Sequence, residues 1–219
     1  MKRCSLIAVL VLVAFTAIAA TNEVKSVNAV GFIRETVPEG EWTLLSLPFV
    51  KLDGSVTATI DEILPDAPLD TEAWYYDNNN WDSDVKQLFG WNPASHQYIR
   101  GDAMFVKVPG GSGPVDLTVM GEVPGAQTAP TSTVVVATGW TLLGFSYPSD
   151  VALTNTTLAA SAALDDSIWW YDAGTGWQSA TRQLFGWSDP TLVLEAGKGY
   201  FFNAAAGFDW TETKPYVWP

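Results

Sequence analysis

The sequence predicts an all-β protein: two tandem antiparallel β-sandwich or barrel-like units related by internal duplication, with one short helix per repeat. Three observations carry this expectation. An ordered set of segments recurs about 95 residues downstream, the segments have an apolar period of two, and glycine- or asparagine-rich turns separate them.

The duplication is read segment by segment. Glu41-Trp42-Thr43-Leu44-Leu45-Ser46-Leu47-Pro48-Phe49 returns as Gly139-Trp140-Thr141-Leu142-Leu143-Gly144-Phe145, with Tyr147-Pro148 close behind. Ala73-Trp74-Tyr75-Tyr76-Asp77 returns as Ile168-Trp169-Trp170-Tyr171-Asp172, and Gln87-Leu88-Phe89-Gly90-Trp91 returns unchanged as Gln183-Leu184-Phe185-Gly186-Trp187. Gly101-Asp102-Ala103-Met104-Phe105-Val106 matches Gly197-Lys198-Gly199-Tyr200-Phe201-Phe202, and Val115-Asp116-Leu117-Thr118 matches Phe208-Asp209-Trp210-Thr211. A period this long exceeds the roughly 20–50 residues of solenoid units, so each copy is expected to be a small domain or half of one. Pro124 to Ser132 has linker composition, which places the first repeat at 20–127 and the second at 128–219.

Within a repeat the elements follow in order. Val24 to Thr36 and Val134 to Ala137 are expected to open the two copies as strands. The Trp-Thr-Leu-Leu segments are apolar on both sides and stop at Pro48 and Pro148, which predicts central strands ending where an amide would be missed. Thr59 to Leu64, with Thr59 and Glu62 at capping-box spacing, and the alanine-rich Thr156 to Leu164 are expected to be short helices that plug barrel or sandwich ends. Met104, Val106 and Val108, then Val115, Leu117 and Val119, alternate with more polar or outward residues as half-buried strands do. Pro215 to Pro219 is expected to dock as a final edge strand.

Composition bounds the function classes. Lys2 and Arg3 precede an uncharged apolar run from Leu6 to Ile18 that closes on Ala17-Ile18-Ala19. A basic start, a short apolar stretch and small residues at −3 and −1 predict a signal peptide over 1–19 and a mature chain that is secreted or held at the cell surface. The run is shorter than the roughly 20 residues needed to cross a bilayer, so no transmembrane segment is expected in the mature chain. Cys4 lies ahead of the run rather than just after it, which argues against lipidation.

The chain has 11 Lys+Arg against 24 Asp+Glu, a formal charge of −13, and loss of Lys2 and Arg3 would take it to −15. Such a surface repels polyanions, which excludes nucleic acid as a partner. It keeps a secreted protein soluble, or draws a divalent cation such as Ca²⁺. With Cys4 removed no thiol remains, so stability must come from burial of the 11 Trp, 10 Phe and 7 Tyr.

Few residues suggest chemistry. His96 is the single histidine and sits in an expected surface loop, with no Gly-x-Ser-x-Gly elbow to build a triad around it, so no catalytic residue is assigned. Asp77 and Asp172 follow the aromatic strands, where aspartate closes turns by bonding a backbone amide two residues on. Asp77, Asn79, Asp82 and Asp84 are dense enough in oxygen to stand as a weak calcium set, although Trp81 breaks the EF-hand order. Trp81 and Trp177 beside the turns, and Trp91 and Trp187 closing the identical pentapeptides, are candidates to stack on sugar rings, with Asn80 and Gln178 orienting hydroxyls.

The run Gly139-Trp140-Thr141-Leu142-Leu143-Gly144, then Tyr147-Pro148-Ser149-Asp150, a Trp-Tyr-Asp strand and Gly197-Lys198-Gly199-Tyr200-Phe201-Phe202, resembles a repeat module of exported bacterial proteins. Its usual form reads Gly-Trp-Asn-Leu-Ile-Gly-Asn-Pro-Tyr-Pro, then an aromatic strand, then Gly-x-Gly-Phe-Phe-Val. Ser26-Val27-Asn28-Ala29-Val30-Gly31-Phe32 also looks like the opening of short secreted proteins built from it. Leu47-Pro48-Phe49 and Phe145-Ser146-Tyr147 depart from the usual Asn-Pro-Tyr. The resemblance implies a cell-surface, matrix or accessory module with no catalytic set. The expected function is therefore non-catalytic: structure, adhesion or self-assembly, with surface or matrix components, polysaccharide or a further copy of the chain as partner. The alternatives are a carbohydrate-binding module using exposed tryptophans and a glycan-active enzyme using paired carboxylates.

Overall fold

The structure is a computed structural model that describes residues 29–77, 79–125, 129–172 and 174–217. The expected signal peptide, the stretch 24–28 of the expected first strand and the linker centre at 126–128 lie outside the described residues.

The first repeat contains β1 (Val30–Val37), β2 (Trp42–Ser46), β3 (Thr57–Ala58), α1 (Ile60–Ile63), β4 (Glu72–Asp77), β5 (Asn80–Gln87), β6 (Gly90–Asn92), β7 (Tyr98–Ile99), β8 (Ala103–Lys107) and β9 (Val115–Glu122). The second contains β10 (Thr131–Val136), β11 (Gly139–Gly144), β12 (Val151–Ala152), α2 (Thr157–Ser161), β13 (Ser167–Asp172), β14 (Gly176–Gln183), β15 (Gly186–Trp187), β16 (Val193–Leu194), β17 (Gly199–Ala204) and β18 (Phe208–Thr213), with a 3-10 turn at Leu153–Asn155. The sheet orders β2-β8-β4-β5-β6 and β11-β17-β13-β14-β15 correspond strand for strand. So do the ribbons β1-β9 and β10-β18 and the short pairs β3-β7 and β12-β16. The fold is all-β with antiparallel ladders, and the duplication extends to topology.

Both helices are single turns fixed at their starts. Glu62 Oε2 accepts the Thr59 N–H at 2.9 Å ahead of α1, and Thr156 Oγ1 accepts the Ala159 N–H at 3.1 Å at the start of α2. Ile60 and Ile63, like Leu158 and Ala159, point into the core.

Each unit is a sandwich of its five-stranded sheet and its two-stranded ribbon. In the first, Leu45, Met104, Val106, Ala73 and Tyr75 face Val37, Leu117 and Val119 of the ribbon. In the second, Leu143, Tyr200, Phe202 and Ile168 face Val134, Val136 and Trp210. The opposite faces of the two sheets meet at a seam, where Leu44, Ala103, Phe105 and Leu142 form a third cluster. The expectation that the Trp-Thr-Leu-Leu strands are central is corrected: β2 and β11 end their sheets. They are apolar on both sides because Leu45 and Leu143 fill their own cores while Leu44 and Leu142 fill the seam.

The chain end is also corrected. Residues 214–217 form no strand; instead the Tyr216 ring lies edge-on to Tyr147 at 6.1 Å and its hydroxyl donates to Pro124 O at 3.2 Å. No helix among the described residues is long and apolar enough to cross a membrane.

Candidate functional site: an aromatic cleft at the seam

Period-two alternation decides which rings reach the seam. On the outer face of the first sheet, Trp42 is the register partner of Lys107, and Lys107 of Glu72. Two residues along, Leu44 pairs Phe105 and Phe105 pairs Trp74; further out Tyr76 pairs Trp81 on β5. The equivalents in the second repeat are Trp140, Asn203, Ser167, Leu142, Phe201, Trp169, Tyr171 and Trp177.

These rings form one continuous chain across the seam. Trp74 meets Trp42 edge-on at 6.2 Å, and Trp42 meets Phe105 edge-on at 6.2 Å. Phe105 touches both Trp81, at 5.5 Å, and Trp177 of the other repeat, at 5.8 Å. Trp81 in turn reaches Phe201 at 5.8 Å, Phe201 stacks on Trp140 at 4.5 Å and 17°, and Trp140 meets Trp169 at 6.0 Å. Two of the four expected ligand tryptophans, Trp81 and Trp177, are thus brought together from distant parts of the sequence, and they are 45% and 46% exposed.

The two ends of the chain differ. Trp140 lies flat on Phe201 and covers it, whereas Trp42 stands at 86° to Phe105 and leaves a gap. The result is an open cleft of about 390 Å³ walled by Trp42, Trp74, Trp81, Phe105 and Trp177. Its polar margin is ordered. Glu72 Oε2 accepts the Trp74 indole N–H at 2.8 Å, and Lys107 Nζ sits 5.3 Å from the centre of the Trp42 ring. A cleft of this kind takes the apolar face of a ring-shaped ligand and offers a carboxylate and an ammonium at its edge.

The other expected site residues fall elsewhere. Trp91 and Trp187 are core residues, 5% and 6% exposed, and Trp91 Nε1 donates to Leu64 O at 3.1 Å; they have no face to offer a ligand. Asn80 pairs Asp77 and Gln178 pairs Trp170, so both lie on the sheet face opposite their neighbours Trp81 and Trp177. Gln178 Nε2 donates instead to Thr175 O at 3.3 Å. The residues that reasoning from sequence missed, Trp42, Trp74, Phe105, Glu72 and Lys107, share one face by i, i+2 spacing; the missing signal was the register that joins three strands.

The calcium set is not brought together. Asp84 is fully buried and its Oδ1 accepts the Ala94 N–H at 2.7 Å, Asp82 is exposed on the same strand, and Asn79 sits in the hairpin turn with φ of 62°. Among the described residues no three His, Cys, Asp or Glu side chains are grouped so as to hold a metal ion. Burial pushes the Asp84 carboxyl above its ordinary range. Asp172 closes its turn, with Oδ1 accepting the N–H of Gly174 at 3.0 Å and of Thr175 at 2.8 Å.

His96 is not a loose surface residue. Its ring stacks on Tyr75 at 3.9 Å and meets Tyr98 edge-on at 4.4 Å. Burial lowers its pKa against the opposing pull of Asp77, Asp84 and Asp82, which keeps the imidazole neutral at pH 7.

No known protein family, curated protein or solved structure matches this chain.

Proposed function

We propose that the protein is an exported, non-catalytic β-repeat protein of the cell surface or its matrix, and that it holds a saccharide in the seam cleft. The observation that carries this reading is the meeting of Trp81 and Trp177, one from each repeat, over Phe105 beside Trp42 and Trp74. Pyranose rings expose C–H faces that stack on indole, and their hydroxyls need polar groups at the margin, a place Glu72 and Lys107 occupy.

Export is supported by the basic, apolar and small-residue order of residues 2–19 and by the resemblance to exported repeat modules. A binding role is supported over a catalytic one by the cleft lining, which is five aromatic side chains with no carboxylate pair to flank a glycosidic bond.

Titration of tryptophan emission with soluble oligosaccharides, and pull-down on insoluble polysaccharides, tests the reading. Binding should shift or quench the emission, and Trp81→Ala with Trp177→Ala should abolish it while the fold is retained. A panel of neutral, acidic and amino sugars that leaves the emission unchanged would overturn it.

A further inference from the structure

Each repeat carries Gln-Leu-Phe-Gly-Trp without change, and the core explains only the end of it. Trp91 and Trp187 point inward, and Gly90 and Gly186, with φ of 127° and 135°, hold a conformation that suits glycine. The Leu-Phe pair between them is the two-residue turn of a hairpin, closed by Gln87 opposite Gly90 in β5-β6 and by Gln183 opposite Gly186 in β14-β15. Phe89 and Phe185 are 99% and 98% exposed, and both leucines are about three-quarters exposed. Such turns favour Asn, Asp and Gly. Two large apolar side chains held out in water contribute to neither core, yet both repeats keep them. Core positions have meanwhile diverged, with Met104 answering Tyr200 and Leu117 answering Trp210.

We propose that these two tips dock the protein on a zwitterionic lipid surface, Leu88-Phe89 and Leu184-Phe185 entering the boundary between headgroups and acyl chains. The contact area decides between a lipid surface and a second protein. A Leu-Phe tip offers on the order of 300–400 Å², well below the ~800 Å² per partner of a stable protein interface. A lipid surface needs no complementary pocket and accepts any apolar tip that reaches it. Headgroup depth also leaves the turn's backbone groups in contact with water.

Charge selects the kind of lipid. The pentapeptides themselves are uncharged, while Lys86 ahead of the first is turned to Pro65 O and Asp61. A chain of net −13 is repelled by an anionic leaflet. The inference is independent of the saccharide reading, since the tips and the cleft share no residue.

Flotation of the processed chain with phosphatidylcholine vesicles is the test. The wild-type protein should float, and less of it should float with phosphatidylglycerol vesicles. L88S/F89S and L184S/F185S should each lower the partition constant, and the quadruple variant should stay at the bottom while its near-ultraviolet circular dichroism matches wild type. Wild-type protein that does not float, or a quadruple variant that floats equally well, would overturn the proposal. So would concentration-dependent association in vesicle-free sedimentation that the quadruple variant loses, because the tips would then belong to a second copy.

Discussion

Ser46 donates its backbone N–H to Gly197 O across the seam at 2.8 Å, and the duplication repeats the bond in reverse as Gly144 N–H to Gly101 O, also at 2.8 Å. Ser46 and Gly144 are equivalent residues of the two repeats, and they face each other. A Cβ on Gly144 would collide with the Ser46 Cβ and Oγ and lie 3.0 Å from Lys198 O. The seam thus has the reciprocal pattern of a two-fold dimer interface inside one chain, and the pair on its axis has room for one side chain only.

Gly144→Ala should therefore destabilise the protein by about 1–3 kcal/mol through overpacking at the seam. The exchange Ser46→Gly with Gly144→Ser should recover most of that loss, because it moves the one side chain to the other half of a near-symmetric pair. Calorimetric melting of both variants checks this; a double variant no more stable than Gly144→Ala would show that the two positions are not interchangeable.

Trp91 and Trp81 should separate burial from contact. Trp91→Ala opens a core cavity and removes the indole bond to Leu64 O, at a cost of about 3–5 kcal/mol. Trp81→Ala removes a half-exposed ring, so urea unfolding should place it within about 1 kcal/mol of wild type. Similar losses for both would mean that Trp81 is structural.

The contrast between these tryptophans marks where the sequence stops being legible. The duplication, the alternation of Val115, Leu117 and Val119, and the capping box of Thr59 and Glu62 are local signals, and the structure contains each of them. Whether a ring faces the core, the seam or water depends on which strands become neighbours. Trp91 and Trp187 follow exposed turn residues and so resemble surface groups, yet they return inward one residue later. Trp42 and Trp74 resemble core groups, and become cleft walls only because the outer faces of both sheets meet. The asymmetry between Trp42 and Trp140 has no local signature, since both stand in near-identical segments.

Asp102 should make stability depend on pH with the less common sign. Burial raises its carboxyl to about 6, against the acceptance of a hydrogen bond from Ile99 N–H at 2.8 Å. The folded state therefore holds this proton more tightly than the unfolded state, whose carboxyl titrates near the ordinary 3.8. Between roughly pH 4 and 6 the contribution of this group to stability falls as pH rises, and above pH 6 the cost is fully present. Asp102→Asn keeps an acceptor for Ile99 and should raise stability at pH 7 by about 1 kcal/mol, converging with wild type below about pH 4. Denaturant midpoints across pH 3.5–7.5 measure this, and a constant offset at every pH would place the effect outside titration.

The two arms of the aromatic chain should differ in function although their aromatic residues match. Trp140 lies flat on Phe201, so its face is already occupied; Trp42 stands edge-on to Phe105 and leaves its face open to the cleft beneath Lys107. If the cleft holds a saccharide, Trp42→Ala should weaken binding about tenfold, equivalent to ~1.4 kcal/mol, and Trp140→Ala should change it less than twofold. Lys107→Gln should weaken binding to an intermediate degree, whereas Asn203→Asp in the second arm should leave affinity unchanged. Equal losses for Trp42→Ala and Trp140→Ala would mean that both arms open in solution and that the chain carries two equivalent clefts in place of one.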